Sequence, residues 1–144
     1  MPGIVVGVDG SANSRRALEW AMREAAVHHA PVIVVTVNEV TASFWTGHPV
    51  TVPADATVLE KAREAATELA EKTANELGEP RPSSVTIKAL NGFAAEELIG
   101  ASQDADLLVV GARGGGLAHH MLGSISGKVV HHAGCPVVVV PASK

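Results

Sequence analysis

The sequence has little of several features that would place it in a common functional class. Its 144 residues contain one cysteine, Cys135, so no disulfide can form within the chain, as is usual in the reducing cytosol. Lys and Arg number 11 against 15 Asp and Glu, which gives a net charge of −4. This balance argues against a nucleic-acid-binding protein built on a basic face.

Long hydrophobic runs are also missing. The longest aliphatic stretches, Pro31–Val37 and Pro136–Pro141, are far shorter than the roughly 20 residues that a membrane-spanning helix needs. The first ten residues have no basic start, and Asp9 interrupts their short apolar run, so no signal peptide is predicted. We therefore expect a cytoplasmic protein that binds neither membrane nor nucleic acid.

What the chain does have is a regular alternation of short apolar runs with longer helical patterns. With 47% hydrophobic residues and no linker-like segment, residues 1–144 are predicted to form a single domain. The predicted strands are Ile4–Val8, Pro31–Val37, Ser84–Leu90, Leu107–Val110 and Val137–Val140. The predicted helices begin at Ser11 or Ser14, near Asp55, at Phe93 and at Ser124, and the last three end near Leu77, Ser102 and His132.

This order predicts an α/β fold, a three-layer sandwich with helices on both faces of a five-stranded, mostly parallel sheet. A common strand order for such a chain is 3-2-1-4-5. Strands one and four are then neighbours, and ligands bind beside them at the carboxyl ends of the strands. Residues Asn38–Ala54 are predicted to form a loop that is long for a compact domain, and loops of this length are often lids or binding loops, or else disordered.

Two segments would meet at that point of the sheet. Asp9 ends the first strand, and a glycine-rich segment follows the fourth. The chain has 14 glycines, and six of them lie between Gly111 and Gly127. A glycine-rich loop between a buried strand and a helix is typical of phosphate sites, because the backbone N–H groups and the helix dipole attract an anion.

Other residues extend this predicted anion site. Ser124 and Ser126 can donate hydroxyl hydrogen bonds to phosphate oxygens, and Arg113 is the best-placed cation. Asp9 suits ribose hydroxyls or a hydrated Mg²⁺. The loop is not a Walker A sequence, because no Gly-Lys-Ser/Thr ends it, and it is not the dinucleotide fingerprint, which follows the first strand.

These segments resemble the universal stress protein family, in its single-domain, ATP-binding form. The likeness covers essentially the whole chain, from IVVGVDGS through PVIVVTV to VVGARGGG and GSISGKVVHHAGCPVVVVP. The family's ATP signature is Gly, two residues, Gly, nine residues, Gly, then Ser or Thr. Gly111, Gly114, Gly123 and Ser124 supply these residue types, with eight residues instead of nine between the second and third glycine.

The resemblance implies a residue-by-residue assignment of an ATP site. Asp9 would contact the ribose, and Val37 the adenine with Gly7 and Val8 nearby. Around the phosphates would lie Gly111, Gly114, Gly123, Ser124, Ile125 and Ser126. The resemblance also implies a homodimer in which Val137–Val140 pairs with its copy, which would remove an exposed sheet edge.

No catalytic set is legible beside this binding apparatus. The adjacent carboxylates Glu96 and Glu97 diverge on a helix, and phosphoryl transfer needs positioned cations and an oriented nucleophile. We expect regulatory ATP binding with little or no hydrolysis. Two alternatives stay open: a dimeric interaction protein that has lost ATP binding, which the eight-residue spacing favours, and a weak ATPase.

Overall fold

The architecture comes from a computed structural model that describes residues 3–39, 42–45, 48–51, 56–112 and 124–141. Along the chain, the elements are β1 (Ile4–Gly7), α1 (Ala12–His28), β2 (Pro31–Glu39), β3 (Ala42–Trp45), β4 (His48–Thr51), α2 (Ala56–Leu77), β5 (Ser84–Gly92), α3 (Ala94–Ser102), β6 (Leu107–Gly111), α4 (Ser124–His132) and β7 (Val137–Val140). The predicted βα alternation is therefore present, with one additional pair of strands.

The main sheet has five strands in the order β5-β2-β1-β6-β7. Counted along the chain without β3 and β4, this is the predicted order 3-2-1-4-5. All four pairings are parallel, and in the central one Ile4 lies opposite Leu107 and Val6 opposite Val109. Strands β1 and β6 are thus neighbours although about a hundred residues separate them, and the predicted switch point lies between them.

Alternating residues of the central strands fill two cores, one on each face of the sheet. Ile4, Val6 and Val8 face α1 and α2, whereas Val5 faces α3 and α4. A strand buried on both faces needs apolar residues at every position, which is why β1, β2 and β6 read as continuous aliphatic runs. The three-layer sandwich predicted from the sequence is confirmed.

Helix α1 forms the centre of one core. The Ser11 side chain caps it by accepting a hydrogen bond of 3.2 Å from the Ser14 N–H, so of the two candidate caps Ser11 is the observed one. The predicted inner face is buried throughout: Ala17, Leu18, Ala21, Met22 and Ala25. Small residues at three of these positions let the helix lie close to the sheet.

The predicted long connection Asn38–Ala54 was wrong in two respects. Strand β2 continues to Glu39, because β5 runs beside it in register and pairs Asn38 with Asn91 and Glu39 with Gly92. The two asparagines also join their side chains, with Asn38 Nδ2 donating to Asn91 Oδ1 at 3.2 Å. Beyond β2, strands β3 and β4 pair in antiparallel fashion. No helix in the described part of the chain is long and apolar enough to cross a membrane.

Replacing Leu18 tests how far stability depends on this α1 core. Leu18 is fully buried, so Leu18→Ala should lower the free energy of unfolding by about 2–5 kcal/mol, measured by urea denaturation. Val27→Ala is the matched control, because Val27 lies on the same helix and is 74% exposed; its effect should stay within about 0.5 kcal/mol. Equal effects of the two substitutions would contradict the proposed packing.

Candidate functional site

A cleft of about 330 Å³ opens at the carboxyl edge of the sheet, where β1 and β6 end side by side. This volume falls at the lower end of the range for small-molecule sites, roughly 300–1,000 Å³. Three helices, α1, α3 and α4, contribute their first residues to its walls. The position is the one at which open α/β sheets bind ligands.

The structure brings together most of the residues that the sequence singled out. Those that line the cleft are Gly7, Val8, Asp9, Val37, Gly111, Ser124, Ile125 and Ser126. Arg113, Gly114 and Gly123 lie outside the described residues. Residues from three separate parts of the chain therefore converge on one cleft, as the strand order requires.

The sequence interpretation missed a second set of lining residues: Ser11, Asn13, Ser14, Val35, Ala94, Leu98, Val110 and Ala112. The serines were recognised as candidate helix caps, and their place directly after Asp9 was the signal that they also belong to the site. Ala94 and Leu98 gave no such signal, because only the packing of α3 against the sheet brings them to the cleft.

One end of the cleft is apolar. Val35 and Leu98 are nearly fully buried there, beside Val37 and Ala94. A Cβ added to Gly7 would lie 3.0 Å from Leu98 Cδ1, so a glycine at this position leaves the room that the leucine side chain fills. Such a wall can pack against the flat face of an aromatic ring or base.

Asp9 provides the negative charge of the site. Its Oδ1 accepts a hydrogen bond of 2.9 Å from the Ser11 N–H, and its own N–H donates to Ser14 Oγ at 3.2 Å. Burial, the largest single influence, raises the pKa of Asp9, but the hydrogen bonds with Ser11 and Ser14 together outweigh it, so the pKa lies below its ordinary value. A carboxylate has acceptor sites for about four hydrogen bonds, which leaves Asp9 capacity for a ligand hydroxyl.

The helix N-termini at the cleft differ in charge. At α3, the Ala94 N–H donates to Glu39 Oε1 at 3.2 Å, and Glu96 and Glu97 lie in the first turn. The described helix α4 has no acidic residue in its first turn, and Ser126 is buried there. Because anions prefer a helix N-terminus free of carboxylates, α4 is the more favourable end for a phosphate group.

In the ranges that the structure describes, no group of three or more His, Cys, Asp or Glu side chains could hold a metal ion. His28 is paired with Glu24 on the surface of α1, Nε2 to Oε1 at 3.0 Å. Asp9 is the only carboxylate among the described residues that line the cleft.

The model of the universal stress protein family matches residues 2–141. A universal stress protein of Mycolicibacterium smegmatis is 41% identical over 143 residues, which cover 96% of this chain and 47% of that protein. One from Mycobacterium tuberculosis strain H37Rv is 31% identical over 139 residues, with the same coverage of both chains.

The chain therefore belongs to the universal stress protein family. It spans about half the length of the curated relatives that it matches.

Solved structures show the same fold. Universal stress protein UspA from Lactobacillus plantarum superposes with a TM-score of 0.74 at 24% identity, over 96% of each chain. A universal stress protein solved in complex with cAMP gives 0.69 at 24% identity, over 98% of this chain and 97% of the other. One from Archaeoglobus fulgidus in complex with dAMP gives 0.61 at 22%, over 96% of each chain.

The charge of Asp9 should make a pH-dependent contribution to stability. Because the folded-state pKa is lowered, the carboxylate stabilises the fold above the unfolded pKa of about 3.9, and this contribution is lost as the pH falls through the folded value. The difference in unfolding free energy between wild type and Asp9→Asn should be constant from about pH 5 to pH 8 and shrink in stronger acid. Urea denaturation at each pH measures it; a difference that grows toward low pH would contradict the assignment.

Proposed function

We propose that this chain binds ATP in the cleft, as a regulatory nucleotide-binding domain with little or no hydrolysis. The observation that carries the proposal is the convergence of Asp9, Val37, Gly111 and Ser124 at the carboxyl edge of the sheet. Support comes from two structures of the same fold that hold the adenine nucleotides cAMP and dAMP.

The apolar end of the cleft suits an adenine and its ribose. Val35, Val37 and Leu98 would pack against the base, and burial of this surface would contribute about 25 cal/mol per Å². Asp9, at the adjoining end of β1, would accept hydrogen bonds from the ribose hydroxyls. A charged acceptor strengthens such bonds, since hydrogen bonds to charged groups contribute about 1.5–3 kcal/mol.

The phosphates would then lie toward α4. There Ser124, Ile125 and Ser126 at the start of α4 line the cleft, and the first N–H groups of a helix attract anions, whereas the α3 N-terminus already binds the Glu39 carboxylate. A phosphate at α3 would be repelled by Glu39 and the acidic first turn. This asymmetry of charge supports one orientation of the nucleotide.

The donor set also bears on Mg²⁺ and on catalysis. As the alternative to the ribose contact, Asp9 would hold a hydrated Mg²⁺, and the ion would then supply charge neutralisation to the phosphates. Phosphoryl transfer additionally needs positioned cations, and the described lining of the cleft contains no basic side chain. These residues favour binding over turnover.

An ATP titration tests the proposal directly. Isothermal titration calorimetry should show one saturable site, and Asp9→Asn should weaken ATP binding about tenfold or more, since losing a charged acceptor costs about 1.5 kcal/mol. Asp104→Asn is the matched control, because Asp104 is exposed near the start of β6, at the opposite edge of the sheet. Its affinity for ATP should equal that of wild type.

Two outcomes would overturn the proposal in favour of a different function. Absence of detectable ATP binding at millimolar concentration would favour a dimeric interaction protein that has lost ATP binding. Steady phosphate release that Asp9→Ala abolishes would favour a weak ATPase.

We further propose that the chain forms a homodimer through β7, so that nucleotide occupancy biases this interface. Among the described strands, β7 pairs with β6 alone and forms one edge of the sheet. The Leu108 N–H donates to the Pro136 carbonyl at 3.0 Å, and the Ala112 N–H donates to the Val140 carbonyl at 2.8 Å. In a strand, the backbone N–H and C=O groups of alternate residues point to the same side. Because Pro136 and Val140 direct their carbonyls to β6, Val137 and Val139 direct their backbone groups to the open edge.

Blocking that edge should separate the protomers. Val139→Pro removes an outward N–H and leaves the β6 ladder intact, as prolines on edge strands do. We expect wild type to sediment as a dimer and Val139→Pro as a monomer in analytical ultracentrifugation, with thermal unfolding confirming that the variant is folded. A folded variant that remains dimeric would show that another surface forms the interface.

A further inference from the structure

Asn13 is a buried polar residue at the cleft whose role the proposed ATP site leaves unexplained. It lies in the first turn of α1 and is only 6% exposed. Its Nδ2 donates a hydrogen bond of 2.8 Å to the Ala112 carbonyl, across 99 residues of sequence. A buried polar side chain needs a hydrogen-bond partner, because leaving it unpaired costs free energy. The bond to Ala112 therefore holds the two residues together.

The same two segments touch through their backbones. A Cβ added to Gly111 would lie 2.8 Å from the Asn13 carbonyl oxygen and 2.9 Å from its carbonyl carbon. Backbone atoms cannot move aside as a flexible side chain does, so only glycine permits this approach. The first turn of α1 and the end of β6 are therefore held together by a hydrogen bond and by close packing.

Both backbone polar groups of Ala112 are hydrogen-bonded. Its N–H donates to the Val140 carbonyl at 2.8 Å, while its carbonyl accepts from Asn13. Ala112 is the residue after β6 and precedes the segment that contains the Gly114 and Gly123 of the ATP signature. Asn13 thus orients the Ala112 carbonyl at the end of β6, in this wall of the cleft.

The other wall is held by different contacts. Asp9 depends on Ser11 and Ser14, and Val37 lies on β2, paired with Leu90 of β5. Loss of the Asn13 side chain would leave these contacts in place. The base-and-ribose end and the phosphate end of the cleft are therefore held by different side chains, although Ser11, Asn13 and Ser14 all lie at the start of α1.

We propose that Asn13 is the positioning residue for the phosphate wall, by which we mean the Gly111–Ala112 backbone at the end of β6. By holding this backbone in place, Asn13 makes the cleft favour nucleotides carrying phosphates over the bare nucleoside. This inference rests on the proposed ATP binding. Asn13 acts through the Gly111–Ala112 backbone: it holds the peptide groups in place before the ligand arrives, so that binding costs less ordering of the chain.

The test compares two probes, ATP and adenosine, on the same variants by calorimetry. Asn13→Ala should weaken ATP binding about fivefold, the loss of one ordinary hydrogen bond, and change adenosine binding by less than about twofold. Asn13→Leu, which keeps the branched volume but has no donor, should give the same pattern. Asn75→Ala on α2 is the matched control and should change neither affinity, because Asn75 is exposed and does not line the cleft.

Hydrogen exchange of the ligand-free protein provides a second readout. The Ala112 amide should exchange about fivefold faster in Asn13→Ala than in wild type, since the loss of the hydrogen bond to the Ala112 carbonyl leaves this residue less firmly held, and should be unchanged in Asn75→Ala.

Each outcome decides the proposal. Equal weakening of ATP and adenosine would overturn it and assign Asn13 a general structural role. Unchanged ATP affinity in both Asn13 variants would also overturn it. If wild type binds neither probe, the proposed function itself fails, and the Ala112 exchange rate then shows separately whether Asn13 holds this wall.

Discussion

Strands β1 and β6 lie side by side in the middle of the sheet, with Val5 opposite Leu108 and Val6 opposite Val109. This pairing joins two parts of the chain that are distant in sequence, and everything at the cleft depends on it. It places Asp9 beside Gly111, because parallel strands end at the same edge. It also reverses the direction in which the chain winds, since α1 lies on one face of the sheet and α3 and α4 on the other. The crevice follows from that reversal.

The first turn of α1 connects the two strand ends. Ser11 and Ser14 hold Asp9 on one side, while Asn13 holds Ala112 on the other. The residues that follow β1 and β6 are distant in sequence, yet both are hydrogen-bonded to the start of one helix. The inner face of this helix is buried in the core. Preorganisation of this kind lowers the cost of ordering a binding site.

Charge is distributed locally at this site, and the net charge of the chain says little about it. A chain of charge −4 can offer an anion site where backbone N–H groups and serine hydroxyls do the binding. Apart from Asp9, the acidic residues near the cleft lie on the α3 side: Glu39 binds the N-terminus of α3, and the described helix α4 has no acid in its first turn. The cleft thus has an apolar end and an end suited to an anion.

The edge strand β7 is connected to the same region. The Ala112 N–H donates to Val140, and Arg16 Nε of α1 donates to the Pro141 carbonyl at 3.2 Å. A shift of the backbone at the end of β6 would therefore act directly on β7, because the Ala112–Val140 hydrogen bond joins the two segments. This short connection is the physical basis for relating the cleft to the sheet edge.

Local sequence determined the elements and the polarity of the cleft. Continuous aliphatic runs identified β1, β2 and β6, because a strand that is buried on both faces carries apolar residues at nearly every position. The serines after Asp9 limited the cap of α1 to Ser11 or Ser14, because a serine caps a helix, and the structure shows that Ser11 is the cap. Asp9, Gly111 and Ser124 are site candidates because they end strands or begin a helix, whereas Val37 and the ligand come only from the resemblance to a known family.

Only the tertiary structure decided which residues of distant segments contact one another. Leu98 and Ala94 reach the cleft only through the packing of α3, and Asn13 acquires its partner only because β6 ends beside α1. The extension of β2 through Asn38 and Glu39 depends on the register with β5, which a single strand does not contain. Propensity and hydrophobic pattern act over a few residues, whereas these contacts join segments as much as 99 residues apart, so they exist only once the sheet has formed.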